Sequence, residues 1–180
     1  GTDAITLALM ALGVGPGDRV AAYLPMDGFH LANAELARLG LADRKGAPDT
    51  FDADGYVAAL ARVRARSADV LVPAFDRQLE ASIAGALRIA VDVPLVITEG
   101  NYLLLSTAPW HRVRDLCDEM WMVGIDPAMR VARLIERHVQ FGRSPADAGE
   151  WVARSDEANA ALVASASAAA DWVFEESTKN

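Results

Sequence analysis

Short apolar runs rich in β-branched residues and leucine, which alternate along the chain with helical patterns, constrain this fold most. Strand-like runs cover residues 19–24, 69–72, 94–98, 120–125 and 172–174, with a short extended or edge segment at 83–89. Continuous apolar runs are typical of strands buried on both faces of a parallel sheet. Helical patterns cover residues 2–12, 33–39, 52–66, 110–117, 126–141 and a stretch from 144 to about 169. The alternation predicts an α/β fold with a mostly parallel sheet.

Composition narrows the class of protein. A chain of 180 residues fits one domain with a real core, so we expect a single domain over residues 1–180. The net charge of −8 argues against a nucleic-acid surface, and no apolar stretch approaches the length that spans a bilayer. The start of the sequence lacks a secretory signature, and the one cysteine, Cys117, fits a reducing compartment. We therefore expect a cytoplasmic protein that binds neither nucleic acid nor membrane.

The first candidate catalytic residue is Asp27, which follows the strand-like run 19–24 and precedes Gly28. Ligands of open α/β sheets bind at the carboxyl ends of the strands. An aspartate in that place can accept the proton of an attacking hydroxyl, as one does in kinases. Asp-Gly is also a common turn, and a turn-capping aspartate is the simpler interpretation of the pair alone. His30 fits a surface position and a ligand contact equally well.

The second candidate is Glu99, which ends the apolar run 94–98. An acid at the end of a buried strand is a candidate for holding Mg²⁺, usually through water. A helix cap or a structural ion pair would explain the same acid. Asn101 and Tyr102 follow it and extend a polar rim.

Cations occur on two loops near these acids. Arg44 and Lys45 precede Gly46, and two cations on a loop can clamp an anionic group of a substrate. A solvated loop explains them as well. Asp76 and Arg77 follow the run 69–72, and the same two interpretations apply to them.

A row of arginines follows the fourth strand-like run. Arg130, Arg133 and Arg137 are spaced three and four residues apart, so a helix would place them on one face, and Arg143 follows Gly142. Such a row next to a glycine-broken junction is typical of a lid that closes on transferring phosphates. The competing interpretation is a solvated helix face that pairs with nearby acids. We favour a lid over residues 127–150.

These segments together resemble the P-loop kinases of the phosphoribulokinase, uridine kinase and pantothenate kinase group. The resemblance is greatest to the bacterial branch of nucleoside/nucleotide kinase or fructose-transport kinase-like proteins. It rests on segments that occur in the family's order, namely PMDGFHL at 25–31, RKGAP at 44–48, TFD at 50–52, PAFDR at 73–77, EGNYLL at 99–104, RH at 137–138, FG at 141–142 and SDEANA at 155–160.

The resemblance implies a three-layer α/β/α sandwich that uses ATP and Mg²⁺ to phosphorylate a hydroxyl of a small molecule. Asp27 would activate that hydroxyl, and Glu99 would be the acid near the metal. The residues that would face the acceptor are His30, Arg44, Lys45, Asp76, Arg77, Tyr102 and, more weakly, Asn159. The lid residues that would contact the nucleotide are Arg133, Arg137 and Arg143. A homodimer is a further expectation.

The sequence departs from that family at its beginning. The family starts with a strand and a Gly-x-x-x-x-Gly-Lys-[Ser/Thr] loop that cradles phosphates. Here Gly1-Thr2-Asp3-Ala4 stands in that place and no lysine precedes Lys45. We therefore expect the first strand and the phosphate loop of the sandwich to be missing, with 1–20 as an atypical segment.

Two other functions stay open from the sequence. One is a non-catalytic or N-terminally shortened kinase relative that binds a small ligand without turnover. The other rests on residues 1–20, which resemble the Gly-Thr-Asp-Ala phosphate-binding helix of sugar aminotransferases that use pyridoxal phosphate. That match is short, and Lys45 in its Arg-Lys-Gly loop is a poor candidate for a Schiff-base lysine.

Overall fold

The computed structural model describes residues 21–175, so the helix predicted at 2–12 lies outside the described residues. The chain divides into two compact units, the first ending at Cys117 and the second beginning at Asp118. The single domain therefore stays a prediction. The strands are β1 Ala21–Pro25, β2 Val70–Asp76, β3 Ala81–Ile89, β4 Leu95–Glu99, β5 Trp121–Gly124 and β6 Trp172–Glu175. The α-helices are α1 Asn33–Leu39, α2 Ala53–Ala65, α3 Pro127–Gln140, α4 Pro145–Trp151 and α5 Glu157–Ser165.

A parallel pair of strands, β1 and β4, carries the centre of the first unit. Tyr23 pairs with Ile97 and Pro25 pairs with Glu99, so both strands end at the same level. Leu24 of β1 is completely buried. The predictions of strands at 19–24 and 94–98 are confirmed over the residues that the structure describes.

The second strand-like run has a different partner from the one expected. The prediction that 69–72 is a buried parallel strand is wrong, because β2 continues to Asp76 and pairs antiparallel with β3. The link between the two strands is only the turn 77–80, whereas a parallel crossover needs about a dozen residues. Leu71 is exposed while Val70 and Val72 are buried, so this run covers the core with one face. The extended segment at 83–89 is the longer strand β3.

Local capping signals locate the helices of the first unit. Asp52 caps α2 by accepting a hydrogen bond from the backbone N–H of Gly55 at 2.8 Å. α1 occupies the predicted range 33–39, and the predicted helix 110–117 is a 3₁₀ helix over Trp110–Leu116. The predicted loop at 40–51 contains two short 3₁₀ turns.

An aromatic core holds the loops of the first unit in place. Tyr56 and Tyr102 are completely buried, and Trp110 is 2% exposed. The ring centroids of Phe51 and Tyr102 lie 5.6 Å apart, and those of Tyr56 and Trp110 lie 5.9 Å apart. Such contacts add to the free energy gained by burying large apolar surfaces. They tie the segment that follows β4 to helix α2 and to the loop that precedes this helix.

The second unit combines a parallel strand pair with three helices. β5 pairs with β6, with Trp121 opposite Trp172. Asp126 caps α3 by accepting from the N–H of Met129, and Ser144 caps α4 by accepting from the N–H of Asp147. The predicted helix from 144 to about 169 is confirmed over 145–165, where a π-helical segment over 152–156 joins α4 to α5 without a break, and a short 3₁₀ turn follows at 167–169. The fold class is therefore α/β, as predicted.

Candidate active site

The ends of β1 and β4 bring Asp27 and Glu99 to one edge of the strand pair. Glu99 is the last residue of β4 and lies opposite Pro25, the last residue of β1. Asp27 follows two residues later, in the 3₁₀ turn Met26–Phe29. Because the strands are parallel, both acids stand at the carboxyl ends, where open α/β folds bind ligands.

Two glycines allow the turns that carry these acids to pack closely. A Cβ atom on Gly28 would lie 2.3 Å from the carbonyl oxygen of Pro73 in β2. A Cβ atom on Gly100 would lie 2.5 Å from the Cβ of Met26. The glycine after each acid therefore has a packing role. Only a residue without a side chain fits against the neighbouring segments of this protein at these two positions.

Asp27 and Glu99 each have a polar partner. Arg77 lies 3.2 Å from Oδ2 of Asp27, and the hydroxyl of Tyr23 donates to Oε1 of Glu99 at 2.5 Å. Partial burial raises the pKa of Tyr23, and the hydrogen bond and charge of Glu99 raise it further. Asp27 also raises this pKa and Arg77 lowers it, so the three charged groups all act on Tyr23. We call Tyr23, Asp27, Arg77 and Glu99 the carboxylate cluster.

The opposite face of β4 anchors the strand end. Thr98 donates a hydrogen bond to the carbonyl of Leu24 in β1 at 2.7 Å, and the hydroxyl of Tyr56 lies 2.5 Å from the hydroxyl oxygen of Thr98. Successive strand residues point to opposite faces, so this contact leaves Glu99 on the other face. The buried tyrosine thus fixes the strand through Thr98, on the face opposite to Glu99.

His30 stands beside the turn that carries Asp27. The centroid of its ring lies 4.0 Å from the ring centroid of Phe51 and 4.8 Å from that of Phe75. Nδ1 lies 2.9 Å from the carbonyl oxygen of Asp27, which can only accept, so Nδ1 carries the proton. Burial lowers the pKa of His30, which favours the neutral ring. In that tautomer Nε2 is an acceptor for a hydroxyl or an N–H group.

The predicted cation clamp has partners within the protein. Arg44 pairs with Asp49 at 3.0 Å. Lys45 donates to Oδ1 of Asn33 at 2.9 Å and to the carbonyl of Glu80 at 3.0 Å, and its ammonium lies 5.3 Å from the ring centre of Phe75. These contacts connect the loop to α1 and to the β2–β3 turn. A substrate anion would have to share or displace them.

Three other predicted substrate residues take different positions. Oδ1 of Asp76 accepts the N–H groups of Gln78 and Leu79, which shapes the turn that presents Arg77. Tyr102 is completely buried, and its hydroxyl donates to the carbonyl of Gly46. Asn159 belongs to the second unit, on α5. Direct substrate contacts of these residues stay predictions.

The arginine row belongs to the second unit. Arg130, Arg133 and Arg137 lie on α3, where Arg130 pairs with Glu157 at 2.7 Å. The guanidinium of Arg143 lies 4.1 Å from the ring centre of Trp151. A pocket in this unit is lined by Gly142, Arg143, Ser144, Asp147, Glu150, Trp151 and Arg154. A lid role for these residues stays a prediction.

The chemistry of the carboxylate cluster fits Mg²⁺. Magnesium prefers oxygen ligands and is commonly held by one or two carboxylates together with water and substrate phosphates. Asp27 and Glu99 supply such oxygens at one edge. Within residues 21–175, no group of three or more histidine, cysteine or acidic side chains could form a metal site of its own.

Among the same described residues, no helix is both long and apolar enough to cross a bilayer.

Sequence reasoning missed Tyr23 as a member of the cluster. An aromatic residue within a strand is usually taken as a core residue, and its contact with Glu99 depends on strand register. The available signal was the period of two, since Tyr23, Pro25 and the partners Ile97 and Glu99 fall on one face once the strand ends are aligned.

Curated proteins similar to this chain include kinases and kinase-like proteins. An ATP-dependent kinase-like protein, notR′ of Aspergillus versicolor, is 37% identical over 67% of this chain and 74% of its own length. A "putative uridine kinase" of Schizosaccharomyces pombe is 30% identical over 82% of this chain, which spans 66% of that relative. A pantothenate kinase of Latilactobacillus sakei is 30% identical over 76% of this chain and 44% of its own length. No family model matches the chain.

Solved structures that superpose on this chain are also described as kinases. A "putative fructose transport system kinase" from Silicibacter sp. TM1040 superposes with a TM-score of 0.79 at 33% identity, over 96% of this chain and 81% of that one. YFH7 of Saccharomyces cerevisiae, described as a "putative P-loop containing kinase", superposes with a TM-score of 0.76 at 22% identity, over 89% of this chain and 59% of its own. The chain therefore has the α/β fold of the P-loop kinases. It belongs to the P-loop kinase group that includes uridine and pantothenate kinases.

Proposed function

We propose that this chain carries the acceptor side of an ATP- and Mg²⁺-dependent kinase that phosphorylates a hydroxyl of a small metabolite. The observation that supports this most is the joint position of Asp27 and Glu99 at the ends of two adjacent parallel strands. Phosphoryl transfer needs an acid that positions the nucleophile and oxygen ligands near the metal, within one site.

Asp27 would orient the acceptor hydroxyl and take its proton. A general base must come within hydrogen-bonding distance of the proton that it removes. The side chain of Asp27 is 38% exposed and that of Arg77 is 52% exposed, so a substrate can approach both. Arg77 holds one oxygen of Asp27 and leaves the other for the hydroxyl.

Glu99 would hold Mg²⁺ through the carboxylate oxygen that Tyr23 does not occupy. A bound Mg²⁺ would supply positive charge beside the phosphates of ATP, which is the chemistry that transfer needs from a metal. Arg133, Arg137 and Arg143 would contact the nucleotide phosphates from the lid at 127–150, because guanidinium groups match phosphate oxygens in geometry and charge.

The acceptor would bind beside His30, whose Nε2 can accept a hydrogen bond and whose ring lies against Phe75. The ammonium of Lys45 and the guanidinium of Arg77 also lie over the ring of Phe75, at 5.3 and 6.0 Å from its centre. An aromatic wall with cations and a neutral imidazole suits a polar metabolite such as a nucleoside, a sugar or a pantothenate-like molecule. Arg44, Asp76 and Tyr102 would shape or line this subsite.

Phosphate transfer from ATP is the direct test. The chain is incubated with ATP and Mg²⁺ and with uridine, fructose or pantothenate in turn, and phosphorylated product is measured. We expect transfer to one acceptor, loss of transfer on Mg²⁺ chelation, and an ATP-dependent rise in melting temperature only with Mg²⁺. Stabilisation by an acceptor alone, without ATP binding or transfer, would instead support a non-catalytic relative.

A cytoplasmic location and a small-molecule partner belong to the same proposal. The single cysteine and the net charge of −8 support a reducing compartment and argue against a nucleic-acid partner. Neither the described residues nor the relatives support the predicted homodimer.

A further inference from the structure

Tyr23 reaches Glu99 because of the register between β1 and β4. Tyr23 lies opposite Ile97, so Glu99 stands two residues further along β4 on the same face of the strand pair. The phenol hydroxyl spans this diagonal and lies 2.5 Å from Oε1 of Glu99. The contact therefore depends on the two strands and on no flexible loop.

The direction of this hydrogen bond is fixed by chemistry. A carboxylate can only accept and a phenol has one proton to donate, so Tyr23 donates to Glu99. Hydrogen bonds to charged acceptors are stronger than neutral ones. One oxygen of Glu99 is thereby held, and the other oxygen, Oε2, takes no part in this hydrogen bond.

Tyr23 also has limited freedom of its own. Its side chain has two rotatable bonds and begins on a strand that is paired along its whole length. A glutamate has three, and without a partner its carboxylate would sample several orientations, at a cost in side-chain entropy when it binds a ligand. The phenol removes part of that cost before the ligand arrives.

We propose that Tyr23 is a positioning residue that holds the carboxylate of Glu99 in the orientation that receives the metal. The inference rests on the proposed function, because it assigns Tyr23 a role in the same site. Partners that orient metal ligands commonly change metal affinity or activity by about 10- to 100-fold when they are removed. Tyr23 itself touches neither substrate nor metal in this role.

The test compares two tyrosines whose hydroxyl groups each form a hydrogen bond with a residue at the end of β4. Tyr23→Phe removes the contact with Glu99, and the matched control Tyr56→Phe removes the contact with Thr98 on the opposite face. Mn²⁺ serves as the probe, and its binding to the full chain without nucleotide is measured by electron paramagnetic resonance of the free ion. Melting temperatures are recorded for each variant.

We expect Tyr23→Phe to weaken Mn²⁺ binding about tenfold at an unchanged melting temperature. Tyr56→Phe should lower the melting temperature and leave the Mn²⁺ dissociation constant within about twofold, because its hydroxyl is on the other face of β4. In transfer assays, Tyr23→Phe should raise the Mg²⁺ concentration for half-maximal rate, with kcat recovered at saturating Mg²⁺.

A double-mutant cycle with Glu99→Ala isolates the pair. If Tyr23 acts through Glu99, adding Tyr23→Phe to Glu99→Ala has no further effect on Mn²⁺ binding. Independent, additive effects would overturn the inference. So would weaker binding in Glu99→Ala with unchanged binding in Tyr23→Phe, a result that leaves the proposed function standing. A wild-type chain with neither Mn²⁺ binding nor phosphate transfer would overturn both.

Discussion

Replacement of Gly28 by alanine would place a methyl group in the backbone of β2. The added Cβ would lie 2.3 Å from the carbonyl oxygen and 2.7 Å from the carbonyl carbon of Pro73, and 3.1 Å from the backbone nitrogen of Ala74. Optimal contacts between carbon atoms are about 3.5–4.0 Å, so the turn and the strand would have to separate by about 1 Å. The neighbouring atoms are backbone atoms of β2, which cannot rotate away as the end of a side chain can.

Overpacking of this kind costs about 1–3 kcal/mol in the free energy of unfolding. For a chain of this size, that corresponds to a melting temperature lower by about 2–12 °C. The separation would also move Asp27 away from Arg77, so we expect phosphate transfer to fall by more than the loss of folded protein explains. Urea unfolding monitored by circular dichroism gives the free energy, and the midpoint shift at constant slope isolates stability.

Gly149→Ala is the matched control for this substitution. Gly149 lies within α4, and a Cβ atom there would meet nothing within 4 Å. Alanine in place of glycine within a helix stabilises by about 0.5–1 kcal/mol. The two variants should therefore shift stability in opposite directions. A Gly28→Ala protein as stable as wild type would refute the close-approach argument.

Two further predictions concern His30 and Tyr102. Burial lowers the folded-state pKa of His30 below its ordinary value of 6.5, with Asp27 opposing this change and Lys45 and Arg77 adding to it. Its contribution to stability is thus complete above pH 6.5 and declines as pH falls below it, by at most about 1.4 kcal/mol per pH unit. Urea unfolding at several values from about pH 8 to pH 5 gives the free energy of unfolding as a function of pH. This free energy should fall less steeply with decreasing pH in His30→Gln than in the wild type, and an equal pH dependence would contradict the burial argument. Tyr102→Phe leaves the carbonyl of Gly46 without its phenol donor and should cost about 1–3 kcal/mol in the same assay, with unchanged stability as the contrary result.

Local signals predicted the elements whose ends they mark. α1 and α2 were expected at 33–39 and 52–66, and Asp52 caps the second as its position indicated. β1 and β4 were recognisable because continuous apolar runs have few alternatives at that length. The strand-end acids Asp27 and Glu99 followed directly from those two strands.

Elements that depend on distant partners could not be predicted in the same way. The apolar run 69–72 does not reveal whether its partner strand is parallel. The hairpin turn 77–80 contains no glycine that would mark it in the sequence. Glu80 takes the positive φ of 50°, and Asp76 accepts hydrogen bonds from the N–H groups of the turn. The π-helical segment after Trp151 leaves the apolar spacing of a helix almost unchanged, so periodicity could not show it.

The site was predictable in its acids but not in their partners. The pairing of Arg77 with Asp27 spans fifty positions of sequence, and that of Tyr23 with Glu99 spans seventy-six. The cations expected as a substrate clamp, Arg44 and Lys45, have protein partners that no local spacing indicates. Sequence therefore identified which groups could do chemistry, and register decided which groups orient them.

Turnover of Asp27→Asn, compared with Asp54→Asn, tests the central claim most directly. Both substitutions remove one charge from an aspartate paired with an arginine, since Asp27 pairs with Arg77 and Asp54, which is not a member of the carboxylate cluster, pairs with Arg112 at 3.0 Å. Loss of a general base should reduce the rate of phosphate transfer by about 10²- to 10⁴-fold in Asp27→Asn while ATP-dependent stabilisation persists, and Asp54→Asn should keep the wild-type rate. Equal rates in the two variants of an active enzyme would contradict the assignment of Asp27 and the proposed mechanism with it.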